Sequence, residues 1–229
     1  MKGFLIKSLL IVVITLTGWM TITNGIFPNY NEPALGLITN IYSAGTESLN
    51  SQLETLDDMD VKFIKESIPW NKVETSPGIF SWSYTTNDKY HDLNYLLSEL
   101  TRHDLKVVAV LSGGPAYLDN HVPDHTINPD LLLESWNGYV QAVVDTFGDK
   151  IHYWQIGEMI NTADGWGKIV LPSEENASIQ PNAELYAQML KSAFTIIKTK
   201  DTNDIVILGG LVSDTDSCNT QPSAYLQSI

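Results

Sequence analysis

The chain has 229 residues, of which 43% are hydrophobic and 17% are charged, a composition typical of a folded globular domain rather than a disordered tail. Its formal net charge of −14 makes nucleic acids and anionic membrane surfaces unfavourable partners. The single cysteine, Cys218, excludes an internal disulfide framework and a cysteine-rich metal site within this sequence.

The N-terminal segment, residues 1–25, predicts a secretory signal peptide. Lys2 and Lys7 precede a short apolar run that starts at about Leu9. A positively charged start followed by such a run is typical of an export signal. A bilayer requires roughly 20 apolar residues, and the run continues only weakly, so an uncleaved membrane anchor over residues 8–23 is the alternative. A buried first strand is the third interpretation. We expect a secreted or cell-envelope protein.

Residues 31–229 alternate short apolar runs with amphipathic segments. The apolar runs, which predict buried parallel strands, are residues 34–42, 61–64, 105–111, 151–156 and 204–212. The amphipathic segments, which predict helices, lie around residues 51–58, 93–100, 136–147 and 185–196. Strands and helices that alternate without a hairpin signal predict an α/β fold, either a (β/α)8 TIM barrel or an open doubly wound sheet.

Two observations favour the barrel. No glycine-rich phosphate loop follows any of the strands. Polar and aromatic residues also cluster just after the strand ends, where a barrel carries its active site; they are Ser67, Trp70, Pro115, Tyr117, Glu158, Asn161 and Trp166. Five strands are fewer than a barrel needs, so the sequence predicts a TIM barrel truncated after about its fifth strand.

Three segments carry a more specific signal: IPWNKVETSPGIFSW (68–82), LKVVAVLSGGPAYL (105–118) and FGDKIHYWQIGEMIN (147–161). In order and spacing they resemble the loop after strand two, strand three and strand four of the retaining (β/α)8 glycoside hydrolases of clan A, such as families 39, 5 and 42. The resemblance covers roughly residues 35–212. It implies hydrolysis of O-glycosidic bonds by a retaining double displacement, a glycoside, oligosaccharide or polysaccharide substrate, and no cofactor.

The resemblance implies a catalytic role for Glu158. In the family, the glutamate that ends strand four is the general acid/base, and an apolar strand mouth suits a carboxylic acid that must donate a proton. The alternative is a solvated carboxylate at the end of a buried strand. Lys65 matches a substrate-binding arginine of the family, and Asn161 is a polar candidate in the loop after Glu158.

Three aromatic residues are candidates for stacking on sugar rings: Trp70, Tyr117 and Trp166. Core packing is the alternative for each of them, because large aromatic side chains are mostly buried for packing. We expect no metal site, because the histidines lack a zinc-binding spacing, and Pro123 prevents the pair in residues 121–125 from sharing a helix face.

Three features depart from the family. Gly157 stands where an asparagine usually precedes the acid/base, and Lys65 lacks the bidentate fork of arginine. Retaining hydrolysis also requires a second carboxylate about 5–5.5 Å from the first, which the family carries on strand seven. Glu66 and Glu74 are poor substitutes, since alternation along a strand places Glu66 on the face opposite Lys65.

The sequence therefore predicts a glycosidase-like domain that is inactive as this chain alone. Two alternatives stay open: a non-catalytic carbohydrate-binding remnant of a glycosidase, and an unrelated open α/β binding protein.

Overall fold

A computed structural model describes residues 35–38, 46–86, 88–115, 117, 128–162, 165, 181–213 and 220–229. All of them belong to the unit Leu35–Ile229. The predicted signal segment, the histidine pair of residues 121–125 and Trp166 lie outside the described residues. Among the helices in the described part of the chain, none has the length and apolar character needed to cross a membrane.

A five-stranded parallel sheet is the centre of the fold. Its strands follow each other in chain order: β1 (Leu35–Ile38), β2 (Val61–Pro69), β3 (Lys106–Ser112), β4 (Tyr153–Ile156) and β5 (Ile205–Leu208). Each predicted apolar run contributes one strand, so the predicted parallel β/α architecture is confirmed. Within the described residues the sheet is open, with β1 and β5 at its edges.

In the described part of the chain, the helices of six or more residues are α1 (Thr46–Asp58), α2 (Leu93–Arg102), α3 (Pro129–Phe147), α4 (Ala183–Lys200) and α5 (Pro222–Gln227). Side-chain oxygens of Asp92, Asn128 and Asn182 accept backbone N–H bonds at the starts of α2, α3 and α4. Such caps satisfy donors that have no partner inside the helix. They explain why these three helices begin where they do.

The two faces of the sheet differ in how they are covered. Along β2, Ile64 and Ile68 are buried under the helices, whereas Phe63, Lys65 and Ser67 on the other side are only half-buried. We call this second side the open face. Register places Ile38 and Ile205 on it too, and these are 79% and 41% exposed.

The helix-covered core is joined to the sheet by two tyrosine hydroxyls. Tyr139 of α3 donates a hydrogen bond to the carbonyl of Ile68 near the end of β2, and Tyr186 of α4 donates one to the carbonyl of Ile156 at the end of β4. Burial raises the pKa of Tyr139 well above 10, and it raises that of Tyr186 to about 12. Both groups therefore stay protonated donors at any working pH.

Two antiparallel hairpins lie between β2 and α2, and here the prediction of a chain without hairpins is wrong. A short helical turn, Trp70–Val73, leads into the first hairpin, in which Glu74–Ser76 pairs with Ile79–Phe80. In the second, Ser83–Thr86 pairs with Lys89–Asp92. Gly78 and Asp88 have positive φ angles of 72° and 59°, which tight turns require.

A buried carboxylate holds the N-terminal ends of β4 and β5 together. Asp204 is fully buried and accepts hydrogen bonds from Trp154 Nε1 and from His152 Nδ1, both at 2.8 Å. Asp201 lies nearby, so that His152, Asp201 and Asp204 bring potential metal ligands within 4.8 Å of one another. Because both carboxylate oxygens of Asp204 already accept hydrogen bonds, we interpret this group as a structural clamp.

The clamp should contribute strongly to stability. We expect Asp204→Ala to lower the free energy of unfolding by roughly 2–3 kcal/mol, because it leaves the buried indole N–H of Trp154 without an acceptor. The matched control is Asp149→Ala, whose side chain is 88% exposed at the same end of the sheet and should change stability by less than about 0.5 kcal/mol. Urea titration of both variants gives the comparison; equal losses would contradict the clamp.

His91 should make the fold sensitive to mild acid. It is buried in the second hairpin, where its ring stacks on Tyr84 at 4.8 Å between ring centroids. Burial, and secondarily the charge of Lys89, lowers the pKa of His91 below its usual 6.5. Below pH 6.5 the unfolded chain therefore binds a proton at this residue that the folded chain binds only at lower pH.

Stability should accordingly fall as the pH drops from 6.5 towards the lowered pKa of His91. We expect His91→Phe, which keeps a ring against Tyr84 but cannot ionise, to show a smaller loss of urea midpoint between pH 7.0 and 5.5 than the wild type. If the two proteins lose the same amount, protonation of His91 is not the cause.

Candidate active site at the ends of the second and fourth strands

Glu158 stands two residues beyond β4 in an unusual stretch of backbone. Its neighbours Gly157 and Met159 both adopt left-handed conformations, with φ of 75° and 51°. A methionine rarely does so, and such strained residues persist where the surrounding structure over-determines them, often at functional sites. The carboxylate side chain itself is 47% exposed.

The turn that carries Glu158 is tied to both neighbouring strands. The N–H of Gly157 donates to the carbonyl of Leu111 in β3 at 2.8 Å, and the N–H of Ile160 donates to the carbonyl of Gly210 after β5 at 3.1 Å. The hydroxyl of Tyr186, bonded to Ile156, also accepts the N–H of Gly209 at 2.9 Å. The backbone under Glu158 is therefore fixed from two sides.

Two glycines pack directly against this turn. A Cβ atom on Gly209 would lie 2.5 Å from the carbonyl oxygen of Ile156, and one on Gly165 would lie 2.1 Å from that of Met159. Both separations are far below contact distance, so only glycine permits the approach. The sequence signal for Gly209 is weak, a second glycine beside it at a strand end, and Gly165 has no comparable signal.

Lys65 and Glu158, both candidates from sequence, meet on the open face. Lys65 lies on β2 with its side chain 19% exposed, and its ammonium Nζ donates to Glu158 Oε1 at 2.5 Å across the intervening strand β3. Opposite charges at this distance form a hydrogen-bonded ion pair. The pair joins the middle of β2 to the turn after β4 in one site.

Smaller polar groups lie at the same end of the sheet. The hydroxyls of Ser67 and Ser112, at the ends of β2 and β3, are 3.3 Å apart. Gln155 Nε2 donates to the carbonyl of Gly157 at 2.8 Å, which further supports the turn. The site thus combines one anion and two hydroxyls at the carboxyl ends of three parallel strands with one cation from the middle of β2.

Trp70 does not offer a stacking surface, contrary to the sequence prediction. Its ring is fully buried, stacked on Tyr139 at 5.1 Å and tilted against Trp136 at 5.6 Å. Its Nε1 donates to the buried carboxylate of Glu74, which also accepts the N–H of Gly78. Trp70 therefore anchors the first hairpin to α3, and Glu74 is used within that anchor.

Asn161 also has a structural role rather than the predicted substrate contact. Its side chain is fully buried, its Nδ2 donates to the carbonyls of Val212 and Thr220, and its Oδ1 accepts the N–H of Val212. These three bonds use both amide hydrogens and one acceptor site of the amide oxygen. Asn161 holds the segment after β5 against the turn that carries Glu158.

The structure also locates Tyr117, a candidate for sugar stacking, and Glu66, a candidate second carboxylate. Tyr117 is half-buried and hydrogen-bonds to Ser135 and Glu74, and burial raises its pKa to about 12. Its role in sugar stacking stays a prediction, as does that of Trp166, which lies outside the described residues. Glu66 lies on the helix-covered side of β2, opposite Lys65, as the alternation predicted.

Several solved structures that resemble this chain are glycoside hydrolases. A β-galactosidase from the psychrophilic Marinomonas ef1 matches at a TM-score of 0.54 and 11% identity, over 78% of this chain and 37% of that one. A β-glucosidase from Exiguobacterium marinum matches at 0.50 and 12%, over 69% and 36%. A family 39 glycoside hydrolase from the gut symbiont Bacteroides cellulosilyticus WH2 matches at 0.49 and 16%, over 76% and 30%.

At these sequence identities, structural similarity shows the fold alone. The first two matches, with TM-scores of 0.54 and 0.50, show that the chain has a glycoside-hydrolase-like α/β fold. The chain spans 30–37% of the length of these three structures. No protein-family model matches the chain, and no curated protein matches it.

The Lys65–Glu158 pair can be tested by a zero-length carbodiimide crosslink, which joins an amine to a carboxylate only when they touch. We expect peptide mass spectrometry to find Lys65 joined to Glu158, and Lys62 joined to Asp60, its partner at 2.6 Å. Lys65→Met should remove the first crosslink and leave the second. Finding the Lys62 crosslink without the Lys65 crosslink would contradict the geometry of the site.

Proposed function

We propose that this chain provides the acid/base half of an active site for the hydrolysis of O-glycosidic bonds, with Glu158 as the general acid/base. The observation that carries the proposal is the setting of Glu158, a half-exposed carboxylate on a strained and rigidly held turn. The turn lies at the carboxyl end of a parallel strand, which is where (β/α)8 enzymes place their catalytic groups.

In this role Glu158 would act twice. It first donates a proton to the glycosidic oxygen, so that the leaving group departs as an alcohol, and it then takes a proton from the water that releases the sugar. The fixed backbone contributes by holding the carboxylate in place without reorganisation during the reaction. Lys65 is the group that contacts Glu158 before substrate arrives.

A retaining mechanism also needs a nucleophilic carboxylate about 5–5.5 Å from the acid/base. Because the chain spans 37% of the β-galactosidase it matches, we assign the nucleophile to polypeptide that extends the sheet beyond β5 and closes a TIM barrel. On this proposal the 229 residues alone bind a glycoside without hydrolysing it. The N-terminal pattern of Lys2, Lys7 and the apolar run supports action outside the cell or in its envelope.

The proposal predicts a loss of activity that depends on the leaving group. We expect Glu158→Gln, in the complete gene product, to slow hydrolysis of 4-methylumbelliferyl glycosides by about 10²–10⁴-fold, the usual contribution of a positioned proton donor. The kcat/KM for 2,4-dinitrophenyl glycosides should fall much less, because kcat/KM reports the first step and dinitrophenolate leaves without a proton. Initial rates well below KM, across a panel of sugars, measure kcat/KM for both classes of glycoside.

Glu54→Gln is the matched control, since Glu54 is an exposed carboxylate on α1, and it should leave both rates unchanged. Equal losses on the two classes of glycoside would overturn the assignment of Glu158. Glycoside binding without turnover by the wild-type gene product would favour the alternative of a non-catalytic carbohydrate-binding protein.

A further inference from the structure

The carboxylate of Glu158 already has a cationic partner within the protein. Its Oε1 accepts the ammonium of Lys65 at 2.5 Å, and Lys65 is the less exposed member of the pair. A ligand that approaches Glu158 from solvent therefore meets a carboxylate whose strongest interaction is made from inside the site. Any ligand that binds Glu158 through a positive charge has to compete with that ammonium.

The surroundings of Lys65 favour its return to Glu158. On β2 the neighbouring open-face residue is Phe63, whose ring packs edge-to-face against Tyr153 at 5.3 Å. Lys65 pairs in register with Val108 of β3, and Val108 pairs with Tyr153, so the three residues lie in one row across the sheet. Within the ion pair the Lys65 side chain is only 19% exposed to water, and it lies on the same face of the sheet as these rings. Loss of the pair is therefore unfavourable for Lys65.

We propose that Lys65 is a specificity-determining residue that acts as an internal counter-ion: it competes with cationic ligands for Glu158, so that the site prefers neutral sugars to amino or imino sugars. The inference rests on the proposed glycoside site. Discrimination of this kind is a difference between two affinities, and a competing internal charge lowers only one of them.

The test compares two ligands that differ in charge and little else. Deoxynojirimycin carries a protonated ring nitrogen at neutral pH, and 1,5-anhydroglucitol has a neutral ring oxygen in the same place. Dissociation constants for both are measured by titration calorimetry. The proteins are the wild type, Lys65→Met, and the double variant Lys65→Met/Glu158→Gln.

We expect Lys65→Met to bind deoxynojirimycin about three- to tenfold more tightly than the wild type, which corresponds to the usual strength of a partly exposed ion pair. Its affinity for 1,5-anhydroglucitol should stay within about twofold. The double variant should not bind deoxynojirimycin more tightly than the wild type, because the carboxylate that attracts the cation is gone. Lys62→Met is the matched control, because Lys62 lies on the same strand but pairs with Asp60, and it should behave as the wild type.

Unchanged, weaker or unmeasurable binding of deoxynojirimycin by Lys65→Met would overturn the inference, and so would an equal gain for both ligands. These outcomes are independent of turnover. A protein that shows the predicted competition but hydrolyses no glycoside would retain Lys65 as a specificity determinant and refute the proposed hydrolysis. A protein whose hydrolysis depends on Glu158 but that shows no competition by Lys65 would support the proposed hydrolysis and refute the role of Lys65.

Discussion

In the central sheet, Lys65 stands level with Val108, and Val108 stands level with Tyr153. This register puts the Lys65 side chain on the open face, together with Tyr153 of the strand that leads to Glu158. A slip of β2 by one residue would turn Lys65 into the helix-covered core and bring Glu66 to the open face. The slip would also expose Ile64 and Ile68, which are buried under the helices, so apolar packing on one face fixes an ion pair on the other.

The ends of the two strands that form the site are held by the same device. A tyrosine from the following helix layer donates its hydroxyl to a carbonyl at the strand end, Tyr139 for β2 and Tyr186 for β4. A buried tyrosine contributes a large apolar ring to the core and one polar group that needs a partner. Satisfying that group at the strand terminus orients both the helix and the turn that follows, and the second of these turns carries Glu158.

Much of the fold could be predicted because it follows from local periodicity. Apolar runs identified the five strands, and apolar residues at helical spacing identified α1 to α4. The two hairpins were missed because strands of two to four residues are too short for alternation to register. Their only sequence signals are the turn residues Pro77-Gly78 and Asn87-Asp88.

The site could be predicted only in part. Glu158 could be identified in advance because it follows a predicted strand end, and Lys65 because of the family resemblance. That the two form an ion pair was not predicted, because Lys65 lies in the middle of β2 rather than at its end. Trp70 and Asn161 were assigned to substrate because position along the chain does not reveal which way a side chain points once a strand has ended. Their burial depends on partners distant in sequence, Trp136 and Tyr139 for Trp70, and Val212 and Thr220 for Asn161.

The order of strands in the sheet repeats their order along the chain. Each strand therefore finds its partner in the unit synthesised just before it, and no strand has to wait for a distant segment in order to pair. Such a sheet can grow from its N-terminal side while the chain is still emerging from the ribosome, much as repeat proteins fold by adding neighbours. The last strand to form is always a free edge until the next unit arrives, so the rate of translation sets how long that edge is open to wrong partners.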